Sequence, residues 1–439
     1  MNNYFQMLDN KKKLILISLN ELNFEALKLY DLQNLPYIKK ISEKFNYTHS
    51  EEEYNFLEPW IQWLTIYTGL SAKEHKVFRL GDSVNKNLTN VFNLVEDLGF
   101  KVGIFGSMNL SNNLKNPDFF IPDPWTNTDC DNSKFSKLIS DTLSKFVNNN
   151  ASSKLNFIDY IKLGFIFINF FRLKIFFLYF ELFLKSFNKK FYKAIFLDLL
   201  INDIFIKLLK KNKTNFSNIF FNGAAHIQHH YFLNSKFNKS SLKNPDWYID
   251  QKIDPFHEML KYYNSILSDY IDNPDYEIIL ATGLTQIPYD REKIYYRLKN
   301  HKDFLRKINI QFKDVYPRMS RDFLIEFDNE IEALDAEKIL KNIKSNNGEK
   351  IFGIIENRHK ELFVTLTYSE KIKKGDSFNI NGIKDFKTEV SIVAVKNGMH
   401  FSRGFLYTNL DIFKDSETNP SGYNITNLKN FILNYFKNE

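Results

Sequence analysis

The sequence predicts an α/β fold in which helices flank a mainly parallel, doubly wound sheet. The apolar runs that begin at Lys13 and Lys101, and the run that ends at Phe221, are typical of strands buried on both faces. Helical patterns alternate with these runs, and such alternation favours a parallel sheet. At 439 residues the chain is long enough to bury a large core, as one elaborated domain or as two.

The first run ends in two polar residues, Asn20 and Glu21, before a helical pattern over residues 24–30. In open α/β sheets the functional groups lie just past the carboxyl ends of the strands. Both residues are therefore candidates for a binding or catalytic site. A helix cap is an equally good interpretation of Asn20, because asparagine is favoured at helix N-termini.

A helix is predicted to begin at Pro59, since proline fits the first turn, and Glu58 places a negative charge at its positive end. If Glu58 faces a metal, it could take a proton from water or from an acceptor hydroxyl. Otherwise it only starts the helix. His75 follows this helix and is either a phosphate contact or a solvated loop histidine.

Three of the nine histidines in the sequence, His226, His229 and His230, follow the run that ends at Phe221. A helix beginning near Ala224 would project His226 and His230 from one face, with His229 beside them. Two neutral imidazoles one turn apart are suited to holding a divalent metal ion. The alternative is a polar helix start with solvated histidines.

Residues 157–187 are dense in apolar side chains, but Arg172, Lys174 and Glu181 interrupt them. A membrane-spanning helix needs about 20 consecutive apolar residues, and no such run occurs. We expect a hydrophobic helical segment that either rests in a membrane interface or covers the sheet.

The C-terminal half contains further candidates for substrate binding. Gln286 follows a predicted strand and either hydrogen-bonds a sugar or phosphate or belongs to a tight turn. Arg318 and Arg321 are suited to bidentate capture of a phosphate or carboxylate, or they pair with nearby acidic residues. His400 follows a smaller α+β insertion, where the chain returns to the main sheet.

The predicted organisation has five parts. They are the first half of the α/β core (1–150), an apolar helical insertion (151–212), the second half of the core (213–290), an α+β insertion (291–397), and a return to the core with a final helix (398–439).

The composition of the chain limits the classes of partner and of site that we expect. The net charge of +7 is spread along the chain, so we expect no nucleic-acid partner. The single cysteine, Cys130, excludes a disulfide framework and a cysteine-rich zinc site. The N-terminal apolar run is too short for a signal peptide, so we expect a cytoplasmic protein, with peripheral membrane contact through residues 157–187 as an option.

Several pieces of the sequence stand in the order that they have in the alkaline phosphatase superfamily, especially in its phosphodiesterase and nucleotide pyrophosphatase branch. The pieces are residues 18–21, 68–75, 101–106, 226–230, 279–284 and 399–400. The chain therefore resembles this superfamily over most of its predicted sheet.

The resemblance implies one divalent metal ion, zinc or manganese, held by His226, His230 and His400 with an open position for water or substrate. A second metal is not expected. The family's aspartate–histidine pair falls on Gly283 and Leu284, and its first-strand aspartate falls on Asn20. The family's hydroxyl nucleophile falls at residues 58–59, where no hydroxyl exists, so a covalent phosphoryl-enzyme is not expected.

These features predict a metal-dependent hydrolase or transferase for a phosphoester or a related anionic ester. A surface glycan or its nucleotide-linked precursor is one candidate substrate. Glu58 or Glu21 would handle the proton, and Arg318 or Arg321 would hold the anion. The alternative is a catalytically silent relative that binds a glycan or a partner protein.

Overall fold

The structure is a computed structural model, and it describes residues 13–51, 53–148, 155–318, 321–373, 376, 378–380, 382–410 and 422–437. The chain divides into two compact units. The first unit comprises residues 1–144, 156–289 and 397–439, and the second comprises residues 145–155 and 290–396.

An eight-stranded sheet forms the centre of the first unit. The described residues of this unit form ten strands: β1 (Lys13–Leu19), β2 (Asn46–His49), β3 (Val102–Phe105), β4 (Phe119–Ile121), β5 (Phe216–Phe221), β6 (Tyr276–Ala281), β7 (Thr285–Pro288), β16 (Gly398–Phe401), β17 (Arg403–Thr408) and β18 (Tyr423–Asn424). The sheet order is β18-β2-β17-β6-β1-β5-β3-β4, and β7 pairs separately with β16. Only the two pairs made by β17 are antiparallel, so the predicted mainly parallel α/β fold is confirmed.

The central strand β1 aligns the strand ends that carry the site. Its apolar residues are fully buried because helices cover both faces of the sheet. Ile17 lies between Ile219 of β5 and Leu280 of β6 in parallel register. The carboxyl ends of the three strands therefore meet at one edge of the sheet.

Helices cover the two faces of this sheet. The helices of the first unit are α1 (Phe24–Leu27), α2 (Pro36–Glu43), α3 (Pro59–Thr68), α4 (Ala72–His75), α5 (Val91–Asp97), α7 (Phe157–Phe170), α8 (Phe176–Asn188), α9 (Tyr192–Lys211), α10 (Gly223–Tyr231), α11 (Pro255–Leu267) and α15 (Leu428–Lys437). Helix α6 (Lys134–Asn148) runs from the first unit into the second. Helices α9, α10 and α11 pack with Ile15 and Ile17 of β1 in one core, whereas α3, α5 and α15 pack with Leu14 and Leu16 in the other. The alternation of side chains along β1 separates the two cores.

The second unit has α+β character. Its strands are β8 (Ile294–Leu298), β9 (Asp314–Pro317), β10 (Asp322–Glu326), β11 (Lys344–Ser345), β12 (Phe352–Asn357), β13 (Glu361–Leu366), β14 (Phe378–Asn379) and β15 (Val390–Val395), and its helices are α12 (His301–Lys307), α13 (Glu330–Asn342) and α14 (Phe386–Glu389). An antiparallel sheet in the order β12-β13-β10-β9 packs on these helices around Phe304 and Phe323.

The apolar segment predicted over residues 157–187 forms two helices, α7 and α8, which a short 3₁₀ turn at Leu173–Ile175 joins. No single helix in the described part of the chain has the length and apolar character needed to cross a membrane. By length and composition alone, α7 together with Leu173–Asn188 could do so as a pair, with a bend of 109° between them.

Candidate metal centre

Glu21 lies at the carboxyl end of β1 in an unusual backbone conformation. Its φ of 59° places it in the left-handed region, which a residue with a Cβ occupies only at a cost of about 1 kcal/mol. Three hydrogen bonds hold it there: its N–H donates to the Thr282 carbonyl (3.1 Å), and its carbonyl accepts from Gln228 Nε2 (2.7 Å) and Thr285 Oγ1 (3.2 Å). Neighbouring elements therefore determine where the carboxylate points.

The buried carboxylate of Glu21 lies between two imidazoles. Its Oε2 is 3.1 Å from His229 Nε2 and 3.2 Å from His400 Nε2. Gln286 Nε2 also donates to Oε2, and Asn20 Nδ2 donates to Oε1 at 3.1 Å. The side chain of Glu21 is 1% exposed, so these polar groups replace water around the carboxylate.

The electrostatics keep Glu21 ionised. Burial by itself raises the pKa of a carboxyl group, because it disfavours the charged form. Here the electrostatic interactions and hydrogen bonds with His229 and His400 outweigh burial and hold the pKa of Glu21 well below its ordinary value. At neutral pH the centre therefore contains a carboxylate, which is the form that ligates a cation.

His400 connects Glu21 to a second carboxylate. It lies on β16, opposite Gln286 of β7, so the β7–β16 pair carries both residues over the sheet edge. Its Nδ1 is 3.6 Å from Glu58 Oε2, and its side chain is 15% exposed. The imidazole of His400 thus lies between Glu21 on one side and Glu58 on the other.

The N-terminus of α10, the helix that carries the histidines, is held by side chains from two other helices. Asp198 of α9 accepts a hydrogen bond from the Gly223 N–H (2.8 Å), and Tyr263 Oη of α11 accepts one from the Ala224 N–H (2.9 Å). Asn222, at the N-cap, makes no side-chain capping bond. The orientation of α10 around its axis therefore depends on contacts distant in sequence.

The structure brings together a set of potential metal ligands that differs from the set implied by the resemblance, and the predicted set stays a prediction. His229 lies beside Glu21 and His400, with its ring centroid 5.2 Å from that of His400. The rings of His226 and His230 instead lie against each other, with their centroids 4.3 Å apart. His230 Nδ1 is 3.1 Å from Tyr248 Oη. His226 and His230 share one face of α10 as predicted, but His229 is offset from His230 by about 100° around the helix and points to a different side.

Burial determines the charge of the other two histidines on α10. Burial, with a smaller contribution from the charge of His229, lowers the pKa of His226 to about 4. Burial likewise holds the pKa of His230 well below its ordinary value. Both imidazoles are therefore neutral at physiological pH.

Asn20 and Gln286 both contact the carboxylate of Glu21, and their predicted substrate-binding roles stay predictions. Asn20 Oδ1 accepts from Trp63 Nε1 (2.7 Å), and its Nδ2 donates to Asn222 Oδ1 (2.8 Å) as well as to Glu21. Gln286 is fully buried, and its Nε2 donates to Glu21 and to the Ala225 carbonyl (3.3 Å). Both side chains hold the carboxylate of Glu21 in place.

His75 is buried, which excludes the alternative of a solvated loop histidine. It is 2% exposed; its Nδ1 accepts from the Val77 N–H (3.1 Å), and its Nε2 lies 3.2 Å from Thr65 Oγ1. Burial, with the nearby charge of Lys86, lowers its pKa to about 4. The protein contacts both ring nitrogens, and the predicted phosphate contact stays a prediction.

Of the remaining predicted site residues, Glu58 lies beside the candidate centre, and the two arginines lie in the second unit. Glu58 is the N-cap of α3 without a side-chain capping bond, and 36% of its side chain is exposed beside His400. Arg318 and Arg321 belong to the second unit, where the Arg321 guanidinium stacks 4.3 Å from the ring centre of Tyr295. Their predicted role in holding an anion stays a prediction.

The positions where the resemblance would require a second metal are apolar. Gly283 has a φ of 74°, and a Cβ there would lie 3.2 Å from the indole of Trp63. Leu284 is fully buried. Among the residues that the structure describes, Glu21, His229 and His400 are the one set of three or more potential ligands whose donor atoms lie within 4.8 Å of one another.

The donor set is chemically suited to a divalent cation. Two imidazole nitrogens and one carboxylate oxygen form a common three-residue set for zinc and other first-row metals, and they leave coordination positions for water or substrate. Glu21 supplies the negative charge. Asn20 and Gln286 supply the outer hydrogen bonds that usually orient such ligands.

Fold and site together define an α/β protein with a candidate divalent-cation centre at the carboxyl edge of a mainly parallel sheet. No protein-family model and no curated protein sequence matches the chain. Among solved structures, similar folds include phosphonoacetate hydrolase from Sinorhizobium meliloti (10% identity, 97% of this chain and 96% of that chain covered, TM-score 0.42). They also include human ectonucleotide pyrophosphatase/phosphodiesterase 5 (11% identity, 97% of this chain and 95% of that chain covered, TM-score 0.41). A third is the alkaline phosphatase PafA (12% identity, 95% of this chain and 94% of that chain covered, TM-score 0.39).

Proposed function

We propose that Glu21, His229 and His400 bind one divalent cation, zinc or manganese, and that the protein is a metal-dependent hydrolase or transferase of a phosphoester or related anionic ester. The observation that carries this proposal is the convergence of the three donor atoms within 4.8 Å. The centre also lies at the carboxyl edge of the sheet, where α/β proteins place their ligands.

The chain's own residues have distinct tasks in this proposal. A bound cation supplies Lewis acidity toward an ester oxygen. Asn20 and Gln286 fix the carboxylate of Glu21, so the ligand is oriented before substrate arrives. The Glu58 carboxylate, partly exposed beside His400, accepts a proton from the attacking water or acceptor hydroxyl.

The class of substrate follows from charge. A divalent cation in a site with one carboxylate ligand retains positive charge, which attracts an anionic ester. We propose a glycan phosphoester or its nucleotide-linked precursor as the specific substrate, and the cytoplasm as the compartment. A comparison of turnover on sugar phosphoesters and on simple aryl phosphoesters tests the glycan part.

The test of metal binding uses protein that has been freed of metal with a chelator. Addition of Zn²⁺ or Mn²⁺ should raise the thermal unfolding temperature with a stoichiometry of one, since a ligand that binds only the folded state stabilises it. Glu21→Gln, His229→Gln and His400→Gln should each abolish this rise and the turnover of aryl phosphoesters. Unchanged metal binding in His229→Gln and His400→Gln would contradict the proposal.

His226→Gln is the discriminating control. The structure places His226 against His230, so this variant should retain metal binding. Loss of binding in His226→Gln together with retention in His229→Gln would favour the set expected from the sequence resemblance. The unfolding temperature without metal reports any general damage to α10.

A second candidate function is a relative without catalysis that binds a glycan or a protein. Gly283, which faces Trp63, and the buried Leu284 favour it, because neither offers a ligand where the resemblance would place a second metal. Protein that binds one metal ion but turns over no ester, whichever ester class is offered, would support this candidate.

A further inference from the structure

The outward surface of α7 and α8 is unusually apolar. We call residues 157–188 the apolar hairpin. Among the described residues, 13 of the 26 exposed large hydrophobic side chains lie in it: Phe157, Ile158, Tyr160, Ile161, Phe165, Ile168, Leu173, Phe176, Phe177, Phe180, Phe183, Leu184 and Phe187. Single exposed apolar side chains are ordinary on protein surfaces, whereas a contiguous concentration of them indicates an interaction surface.

The apolar hairpin is firmly attached to the protein on its inner side. Ile166, Tyr179 and Leu182 are buried in the core that also contains α9 and α11. The outward exposure is therefore a property of the folded first unit. Because the inner sides of both helices are already buried, only their outward sides remain for a partner.

A buried ion-pair network fixes the turn between α7 and α8. Arg172 donates from Nε to Asp203 (2.6 Å) and from both terminal nitrogens to Asp269 (2.6 and 2.7 Å), while its side chain is 13% exposed. Tyr179 Oη also donates to Asp203 at 3.0 Å. Such bidentate pairs are geometrically specific, so the turn presents its apolar side chains in a defined direction.

The dimensions of the apolar hairpin favour lying in a membrane interface. Helices of 14 and 13 residues are each about 20 Å long, whereas the hydrocarbon core of a bilayer is about 30 Å thick. The 109° bend between the two parts prevents them from acting as one straight span. Both helices can instead immerse their outward sides to the depth of the acyl boundary.

The charges around the apolar hairpin select the kind of membrane. Residues 155–193 contain seven basic and two acidic side chains, a net charge of +5. One of the acids, Asp159, is buried, and the other, Glu181, is paired with Lys185 and Lys261. Lys190 and Lys193 are exposed and form no ion pair with any described residue. Arg172, Lys174 and Lys185 form ion pairs with Asp203, Asp269 and Glu258, so the attraction to anionic lipid headgroups rests on the other four lysines, Lys162, Lys189, Lys190 and Lys193.

We propose that the outward side of the apolar hairpin inserts into the interface of an anionic lipid bilayer and attaches the protein peripherally. Aromatic and aliphatic side chains provide the apolar contact, and the lysines provide attraction to the headgroups. A second copy of the chain fits this surface less well, because two such segments would bring like charges together. The proposal is independent of metal binding and of ester turnover.

The test is co-sedimentation of the full-length protein with phosphatidylcholine vesicles, with and without phosphatidylglycerol. Binding should require phosphatidylglycerol and should weaken as salt is added. Leu173→Asp/Phe177→Asp should weaken binding on the order of 100-fold, since two apolar side chains lose their burial. These residues are 80% and 81% exposed, so the fold should persist.

Two matched controls separate the surface from general effects. Ile331→Asp/Leu334→Asp makes the same change in charge on exposed apolar residues of α13 and should bind as wild type. Lys190→Gln/Lys193→Gln should weaken vesicle binding about 30-fold, because each lysine near the surface contributes about fivefold. The matched control, Lys101→Gln/Lys137→Gln, should have a much smaller effect.

Three results would overturn the proposal. The first is wild-type protein that stays in the supernatant with both kinds of vesicle. The second is Leu173→Asp/Phe177→Asp protein that sediments as wild type does. The third is a dimer by light scattering that the same double variant dissociates, because the surface would then be covered by a second copy of the chain.

Discussion

At the residue scale, the position of Glu21 depends on the absence of a side chain at residue 398. An added Cβ at Gly398 would overlap the side-chain oxygen of Gln286 and lie 3.0 Å from the Gln228 carbonyl. Gln286 and Gln228 are two of the residues that hold Glu21. A glycine with ordinary backbone angles is therefore required here for space.

Gly398→Ala should consequently displace Gln286 and weaken metal binding by the candidate centre. The expected result is a loss of most of the metal-induced rise in unfolding temperature, with a fall of about 1 to 3 kcal/mol in stability from overpacking. Gly164→Ala is the matched control, because an added Cβ there meets no atom within 4 Å and removes a helical glycine. Undiminished metal stabilisation in Gly398→Ala would show that Gln286 does not position Glu21.

Residue types and spacing identified part of the centre. The position of Glu21 past the end of a strand predicts a site residue there, whereas the prediction for His400 rests on the resemblance to the alkaline phosphatase superfamily. The i, i+4 spacing of His226 and His230 favours that pair as ligands, whereas the structure places His229 beside Glu21 and His400.

At the element scale, the orientation of α10 rests on a buried acid. Asp198 accepts hydrogen bonds from Gly223 and Tyr263, and a Cβ at Gly223 would lie 2.5 Å from its carboxylate. No local sequence pattern reveals this contact, because 25 residues of chain separate Asp198 from Gly223. The rotation of α10, and hence the choice of His229, could not be derived from the helix sequence alone.

The pKa of Asp198 predicts how stability depends on pH. Burial raises this pKa from 3.8 to about 6, although the hydrogen bonds from Tyr263 and Gly223 oppose the rise. Since the folded protein holds the proton more tightly than the unfolded chain, the stabilising contribution is complete below about pH 4 and is lost as pH rises through about 6. The shift of about 2 units corresponds to about 3 kcal/mol.

Asp198→Asn should remove this component of the pH dependence. The neutral amide keeps an acceptor for the Gly223 N–H and does not ionise, so its unfolding temperature should change less than that of wild type between pH 4 and pH 7. Asp31→Asn is a suitable control, since Asp31 is exposed. Identical pH profiles for wild type and Asp198→Asn would refute the assignment.

Elements with strong local patterns were predictable, and those defined by distant pairing were less so. The continuous apolar runs predicted β1, β3 and β5. The second unit has the α+β character expected of the insertion: β12 and β13 pair antiparallel, and the helix α13 begins at Glu330. Asn329 starts that helix by accepting a hydrogen bond from the Glu332 N–H.

At the scale of the whole molecule, the two units contain buried ionisable groups with opposite pH responses. Asp198 of the first unit contributes more to folding stability at low pH than at neutral pH. His301 of the second unit is 6% exposed, and its ring packs edge-on against Phe323 at 5.0 Å. Burial, and then the charge of Arg297, lowers the pKa of His301 to about 4. Global unfolding curves would mix the two effects, so the prediction requires a local measurement.

We predict that acid loosens the second unit through His301. The pKa of His301 is lower in the folded state than its usual 6.5, so its contribution to stability is complete above about pH 6.5 and is lost as pH falls toward 4. A pKa difference of about 2.5 units corresponds to about 3 kcal/mol of stability.

Amide hydrogen exchange in peptides from α12 and β10, corrected for intrinsic rates, should therefore rise relative to peptides from β1 as pH falls from 7 to 4. His301→Phe should suppress this rise, whereas His359→Gln, which changes an 85% exposed histidine of the same unit, should not. An equal rise in wild type and His301→Phe would mean that another group controls the acid response of this unit.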